Sequence, residues 1–93
     1  EQALAFLETA TNQWPDYWLS YFLVANHYLS ADEDEAVRWF EKGYDVGKTQ
    51  NAYVHNYILA LRKSGANSKA DTILTEALVQ FPNDEKLIAL KRS

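Results

Sequence analysis

The chain repeats itself at intervals of 33 to 35 residues, and this repeat restricts the fold more than any other feature of the sequence. A shift of 34 residues superposes the apolar positions of 36–44 on those of 70–78, and a shift of 33 superposes 3–10 on 36–43. Repeats of this length are typical of folds that stack copies of one small unit, in which each copy buries its apolar face against the next. The sequence therefore predicts a single domain built by stacking.

A second type of segment alternates with the first. Residues 18–25 superpose on 53–60 at a shift of 35 residues, which brings Phe22 onto Tyr57. Because this shift exceeds 34 by one, we expect one extra residue in the turn at 30–34.

Both types of segment are predicted to be helices, because apolar residues recur three, four and seven positions apart. The pattern is clearest at Trp18, Leu19, Phe22, Leu23, Asn26 and Leu29. No long apolar–polar alternation and no Asn-Gly or Asp-Gly turn indicates a strand pair. The predicted helix boundaries are caps at Asp16, at 32–35 and at Ser68 with Asp71, and stops at Gly47 and Gly65.

At these positions the chain resembles the tetratricopeptide repeat family, whose pattern runs from a large apolar residue through Leu-Gly, Tyr and Ala-x-x-x-Phe to Ala and a closing Pro. Residues 51–84 match best and carry Val54, Tyr57, Ile58, Leu61, Gly65, Ala70, Leu74, Ala77 and Pro82. Residues 16–49 match less well, since Lys48 replaces the proline and Asn26 replaces a tyrosine. Residues 1–15 resemble the second half of an earlier repeat.

The resemblance implies an all-α, right-handed solenoid of antiparallel helix-turn-helix pairs, with about two and a half repeats in one domain over 1–93. Residues 84–93 are predicted to form a short helix that caps the last repeat. The Sel1-like repeat is the nearest relative, because 36–42 and Gly47 are similar to its second helix, but its longer glycine-containing loop is missing here. We expect the small residues of the repeat to be buried where helices cross, namely Ala36, Gly43, Ala70 and Ala77.

Chemical motifs give no indication of an enzyme. The chain has no cysteine, no Gly-x-Ser-x-Gly elbow, no His-Glu-x-x-His and no glycine-rich phosphate loop. His27 and His55 are isolated, and the acidic run at 32–35 lacks the glycine and spacing of a calcium loop. We therefore expect no catalysis, no metal and no cofactor.

Charge is distributed unevenly along the chain. Residues 1–47 carry nine acids and two bases, whereas 48–93 carry four acids and seven bases. The net charge of −4 and the scattered bases argue against a nucleic-acid partner. The apolar runs are too short for insertion into a membrane. The absence of methionine and of a leader suggests a piece of a longer or processed protein; the compartment stays open, with the cytoplasm slightly favoured.

Aromatic residues exceed what core packing requires, because six of the thirteen lie within 14–28. In the tetratricopeptide family the first helix of each repeat lines a concave groove. The resemblance therefore implies a partner-binding groove formed by Tyr17, Ser20, Val24, His27, Tyr28, Ala52, His55, Leu59, Arg62 and Lys63. The expected ligand is a protein or peptide segment with an apolar anchor and some acidic character near the last two residues.

Two alternatives remain open at this point. Tyr21 and Tyr28 either face the groove or pack against the first helix of the preceding repeat, which this sequence does not include. The chain as a whole either binds a ligand or serves self-association, as a homo-oligomer or as a scaffold segment of a longer repeat protein. A receptor for peptide carboxyl termini is not expected, since Ser20 and His55 stand where that subset of the family has lysine or asparagine.

Overall fold

The computed structural model describes residues 2–92, and all regular secondary structure within them is helical. The seven helices are α1 (Gln2–Gln13), α2 (Trp18–Leu29), α3 (Glu33–Lys42), α4 (Tyr44–Gly47), α5 (Asn51–Lys63), α6 (Asn67–Gln80) and α7 (Glu85–Arg92). The predicted all-α class is confirmed for this part of the chain.

The helices pack in series. α1 lies against α2, α2 against α3, α3 against α5, α5 against α6, and α6 against α7, while the single turn of α4 continues α3 and contacts α2. The molecule measures 38 × 24 × 18 Å along its principal axes. As a result, α1 and α7 form the two ends of the series and α5 lies near its middle.

The core is centred on an aromatic cluster between α3 and α5. Phe40 meets Tyr53 edge to face with ring centroids 5.2 Å apart, and it stacks on Tyr57 at 5.8 Å. These geometries are favourable for aromatic pairs. The Tyr53 hydroxyl donates a hydrogen bond of 2.6 Å to the Phe40 carbonyl, so its polar atom is satisfied inside the core.

A polar triad joins three helices at the edge of this cluster. The Tyr57 hydroxyl donates to the Glu41 carboxylate at 3.4 Å, and Lys69 on α6 forms an ion pair with the same carboxylate. Burial, with the charge of Glu41 as a second cause, raises the pKa of Tyr57 to about 12. The triad thus fixes α3, α5 and α6 relative to one another.

Small residues lie at the helix crossings, as predicted. Ala36, Ala70 and Ala77 are buried. At Gly43 the approach is closer still, because a Cβ atom there would lie 2.3 Å from Cγ of Tyr21. Glycine is therefore the only residue that lets α2 and the α3–α4 junction approach without displacing the ring.

The predicted helix boundaries are partly correct. Asp32 caps α3, since its carboxylate accepts a 3.2 Å hydrogen bond from the Glu35 amide. Gly65 ends α5 with a φ of 88°, a left-handed conformation that favours glycine. The caps at Asp16 and Ser68 are wrong: α2 and α6 begin after Tyr17 and Ala66, and neither of these residues caps with its side chain.

The predicted repeat shift of 35 residues for the first helix is also wrong. α2 and α5 begin at Trp18 and Asn51, 33 residues apart, and the turns 30–32 and 64–66 both hold three residues. The predicted extra turn residue is therefore absent. Burial follows the shift of 33, which aligns Ser20, Tyr21, Val24 and Ala25 with Tyr53, Val54, Tyr57 and Ile58. Matching by side-chain size failed because three of these four positions hold smaller residues in α2 than in α5, and at the fourth Tyr21 is larger than Val54.

The predicted terminal helix is present as α7. Leu87 and Leu90 are buried, whereas Lys86, Lys91 and Arg92 are exposed. One side of α7 therefore covers the interior of the preceding pair of helices and the other faces solvent.

Candidate functional site

An open cleft of about 570 Å³ lies between α2, α5 and the beginning of α7, and we call it the α5 groove. Its lining combines one aromatic ring with amide, imidazole and charged groups. The residues are Phe22, Asn51, Ala52, His55, Asn56, Asp84, Glu85 and Lys86. Such a mixture of an apolar wall with a few polar groups is typical of surfaces that bind a ligand in one orientation.

A row of hydrogen bonds crosses from α2 to α5 beside the groove. The Asn56 amide donates to the Asn26 side-chain oxygen at 2.9 Å, and the Asn56 side-chain oxygen lies 2.9 Å from Nδ1 of His55. A hydrogen bond here requires a proton on Nδ1, because an amide oxygen only accepts.

The opposite wall is fixed by Asp84. One of its carboxylate oxygens accepts a 2.6 Å hydrogen bond from the Asn51 side chain, and the other accepts a 3.0 Å bond from the Leu87 amide in the first turn of α7. The hydrogen bond from Asn51, with that from Leu87 as a second cause, lowers the pKa of Asp84. Asp84 therefore caps α7 and ties it to α5, which sets the separation of the groove walls.

The aromatic wall is formed by Phe22. Its ring lies 5.5 Å from that of Trp18 and 6.2 Å from that of Tyr53, and the residue is half-buried, so part of it contacts solvent. The shift of 35 residues had aligned Phe22 with Tyr57, which the structure buries in the core. The shift of 33 shown by the segments at 3–10 and 36–43 would have aligned it with His55 instead.

The predicted groove residues of α5 fall into two groups. Ala52 and His55 line the α5 groove. Leu59 follows one turn later and is half-buried against the core. Arg62 donates a 2.9 Å hydrogen bond to the Leu90 carbonyl, so it is engaged within the fold. Lys63 is exposed at the end of the helix.

The predicted groove residues of α2 do not line the α5 groove. Ser20 and Val24 are buried, so their assignment to an open groove is corrected: they face the interior, where small residues allow close packing. Tyr17 is 51% exposed at the start of the helix. His27 is exposed and its ring meets that of Tyr28 edge-on at 5.3 Å.

Tyr28 lies at the edge of the core. It is half-buried, and burial together with the carboxylates of Glu8, Glu35 and Asp32 raises its pKa. These acids belong to α1 and to the first turn of α3. Tyr28 therefore lies beside α1 and α3.

Tyr21 is an internal residue. Its hydroxyl is 3.0 Å from the Pro15 carbonyl and 3.3 Å from the Thr11 carbonyl, to which it donates. Its ring lies against Gly43. Both alternatives for Tyr21 are wrong, because α1, Pro15 and Gly43 at the α3–α4 junction already bury it within this chain.

Within residues 2–92 no group of three or more histidine or acidic side chains is placed to hold a metal ion. The same residues include no helix with both the length and the apolar character needed to cross a membrane. Comparison with protein-family models, with curated proteins and with solved structures gives no match.

Proposed function

We propose that this chain is a non-catalytic interaction module of the tetratricopeptide type, with repeats at 16–49 and 51–84, that binds a peptide segment of a partner protein in the α5 groove. The spacing of 33 and 34 residues between equivalent helices and their serial packing support a solenoid of stacked helix pairs. The observation that carries the binding role is the groove itself, in which the half-exposed Phe22 ring faces a cleft with amide and imidazole groups.

The lining indicates the chemistry of the ligand. An apolar side chain would pack against Phe22 and Ala52, where it gains contact area without burying a charge. Asn56 and His55 offer hydrogen-bonding groups to a peptide backbone nearby. A short extended or helical segment with one apolar anchor fits this arrangement.

Charge favours one orientation of that segment. The end of the groove at α7 carries Asp84 and Glu85, together with Lys86. Lys63 is exposed at the other end of α5, three turns from Ala52. Acidic side chains of the ligand would therefore lie toward Lys63, away from the carboxylates at α7. Arg62 contributes less than the sequence predicted, because the Leu90 carbonyl accepts its hydrogen bond.

A peptide-display library selected on the intact chain tests the groove. The exposed Ala52 is replaced by glutamate, which is compatible with the first turn of a helix and projects into the groove. We expect selected peptides to bind A52E at least about tenfold more weakly, and to bind the exposed α6 control T72E like the parent. Equal affinity for parent and A52E would overturn the assignment.

A second variant tests the anchor. Phe22→Ala should weaken the same peptides by roughly 1 kcal/mol or more if its ring carries the apolar contact, from a starting dissociation constant of about micromolar order. Helical content measured by circular dichroism should stay at the parent value, because Phe22 is only half-buried. Peptides that tolerate this change but not A52E would place the apolar anchor elsewhere in the groove.

A further inference from the structure

The α5 groove contains a group whose charge changes close to neutral pH. Of the groove-lining residues that the structure describes, only His55 has a side chain that ordinarily titrates between pH 5 and 8. The residue is half-buried. The other histidine of the sequence, His27, is exposed on α2 and does not line the groove. A change of pH in this interval therefore acts on the groove through one side chain.

A row of side-chain amides holds the His55 ring in place. Its Nδ1 lies 2.9 Å from Oδ1 of Asn56, and Nδ2 of Asn56 donates a 2.9 Å hydrogen bond to Oδ1 of Asn26 on α2. Because Asn56 directs its nitrogen toward Asn26, its oxygen faces the ring and accepts the proton on Nδ1. A second proton then binds at Nε2. Protonation thus adds a positive charge to the groove without breaking the bond that orients the ring.

Charged groups face His55 from the beginning of α7. They are Asp84, Glu85 and Lys86. On the α2 side, Phe22 and Asn26 carry no charge. The pKa of Asp84 is lowered first by its hydrogen bond from the Asn51 side chain and last by the charge of His55. Asp84 therefore interacts with a protonated His55 across the open groove, while its two oxygens stay bonded to α5 and α7.

An apolar side chain in the groove would change the surroundings of this ring. Ala52 lies one helical turn before His55, so an occupant that packs against Ala52 and Phe22 also displaces water from the imidazole. A neutral ring loses little by this, since its Nδ1 bond lies within the protein. A charged ring would lose its hydration and gain no bonded carboxylate in exchange. An apolar occupant and the second proton therefore compete.

On the basis of the groove proposed above, we propose that it accepts an uncharged apolar side chain while His55 is neutral and releases it when His55 is protonated. The ligand is then bound at neutral pH and lost in mildly acidic surroundings. An ordinary histidine is about nine-tenths neutral at pH 7.5 and about one-tenth neutral at pH 5.5. If only the neutral form binds, the apparent dissociation constant rises about tenfold over this interval.

Peptide binding at pH 7.5 and at pH 5.5 tests the competition. The probe is a peptide selected on the intact chain at pH 7.5 from a library of uncharged residues and prepared with blocked termini, so that it adds no titrating group. We expect the parent to bind it about tenfold more weakly at pH 5.5. His55→Gln should bind it equally at both pH values. The matched control His27→Gln, which replaces the exposed histidine outside the groove lining, should behave like the parent.

The outcomes separate this proposal from that of the groove. Equal affinity of the parent at both pH values, with circular dichroism unchanged between them, would overturn the acid release and leave the groove assignment standing. Loss of the pH dependence in H27Q instead of H55Q would also overturn it. A library that gives no binder at pH 7.5 would overturn both proposals.

Proton NMR of the two histidine rings gives a second measurement on the parent chain alone. Saturation with the same peptide should move the titration of the His55 signal to lower pH and leave that of His27 unchanged, because bound peptide and proton exclude each other only at His55. A His55 titration that does not move would overturn the proposal, even where H55Q binds too weakly for its pH dependence to be measured.

Discussion

Helices α2 and α5 hold equivalent places in the helix series but distribute their apolar residues differently. α5 buries mostly large side chains, namely Tyr53, Val54, Tyr57, Ile58, Ala60 and Leu61. α2 buries Ser20, Tyr21, Val24 and Ala25, and leaves Phe22 half-buried and Leu23 exposed. Apart from Tyr21, α2 packs through residues no larger than valine, and the large side chain of Phe22 stays partly exposed at the groove. The groove owes its aromatic wall to this difference.

The first prediction tests this contrast with the largest expected effect. Tyr57→Ala should lower the free energy of unfolding by about 3–5 kcal/mol, because it removes a buried ring from the aromatic cluster. Phe22→Ala should cost only about 1 kcal/mol, since part of its ring already contacts solvent. Urea denaturation of both variants measures the difference. Equal losses would mean that the two residues are equivalent, as the shift of 35 had implied.

The second prediction tests the close approach of α2 to the α3–α4 junction. Gly43→Ala should cost about 1–3 kcal/mol, because its methyl group would overlap the Tyr21 ring. Tyr21→Ala is destabilising in itself, but it should remove most of the added penalty of Gly43→Ala when the two are combined. Thermal unfolding of the parent, the two single variants and the double variant gives the coupling free energy between the two positions. Additive losses would show that the two residues do not restrict each other.

The third prediction, which has the smallest expected effect, concerns Asp84 in the groove wall next to α7. Since the pKa of Asp84 is lowered in the folded state, its ionised carboxylate stabilises the fold at pH values above its unfolded pKa. This stabilisation is lost as the pH falls through the folded pKa. Asp84→Asn keeps an oxygen that can cap α7 but removes the negative charge at its N-terminus, so it should reduce stability at neutral pH by about 0.3–1 kcal/mol, and by less at pH 3. Urea titrations at both pH values measure this change. A penalty independent of pH would exclude ionisation of Asp84 as its origin.

Much of the fold could be predicted from the sequence because helix periodicity and the spacing of small residues are local signals. Ala36, Ala70, Ala77 and the cap at Asp32 were identified in this way. The orientation of α2 was not, because the helix is apolar on two sides and periodicity alone does not say which side is buried. That choice depends on the fit of Tyr21 against Gly43, two residues distant in sequence.

The groove was predictable only in part for the same reason. Ala52 and His55 do line a cleft, because they lie on the side of α5 opposite its buried face, and their role in binding stays a prediction. Ser20 and Val24 were misassigned together with the register of α2, and Phe22 and Asn56 were missed. The hydrogen bond of Arg62 to Leu90 could not be expected, because it depends on where a helix nearly thirty residues further along the chain ends.

Two residues of α5 hold helix α7 in place, one at each end of α7. Asp84 bonds Asn51 at its beginning, and Arg62 bonds the Leu90 carbonyl near its end. Because α7 is only eight residues long and supplies one wall of the groove, its local opening and the occupancy of the groove are thermodynamically linked. A bound segment that contacts α7 stabilises the docked helix, so amide hydrogen exchange in 85–92 becomes a direct reporter of occupancy. Conversely, a change that loosens the Arg62 attachment would lower the affinity proposed for the groove without altering a residue that lines it.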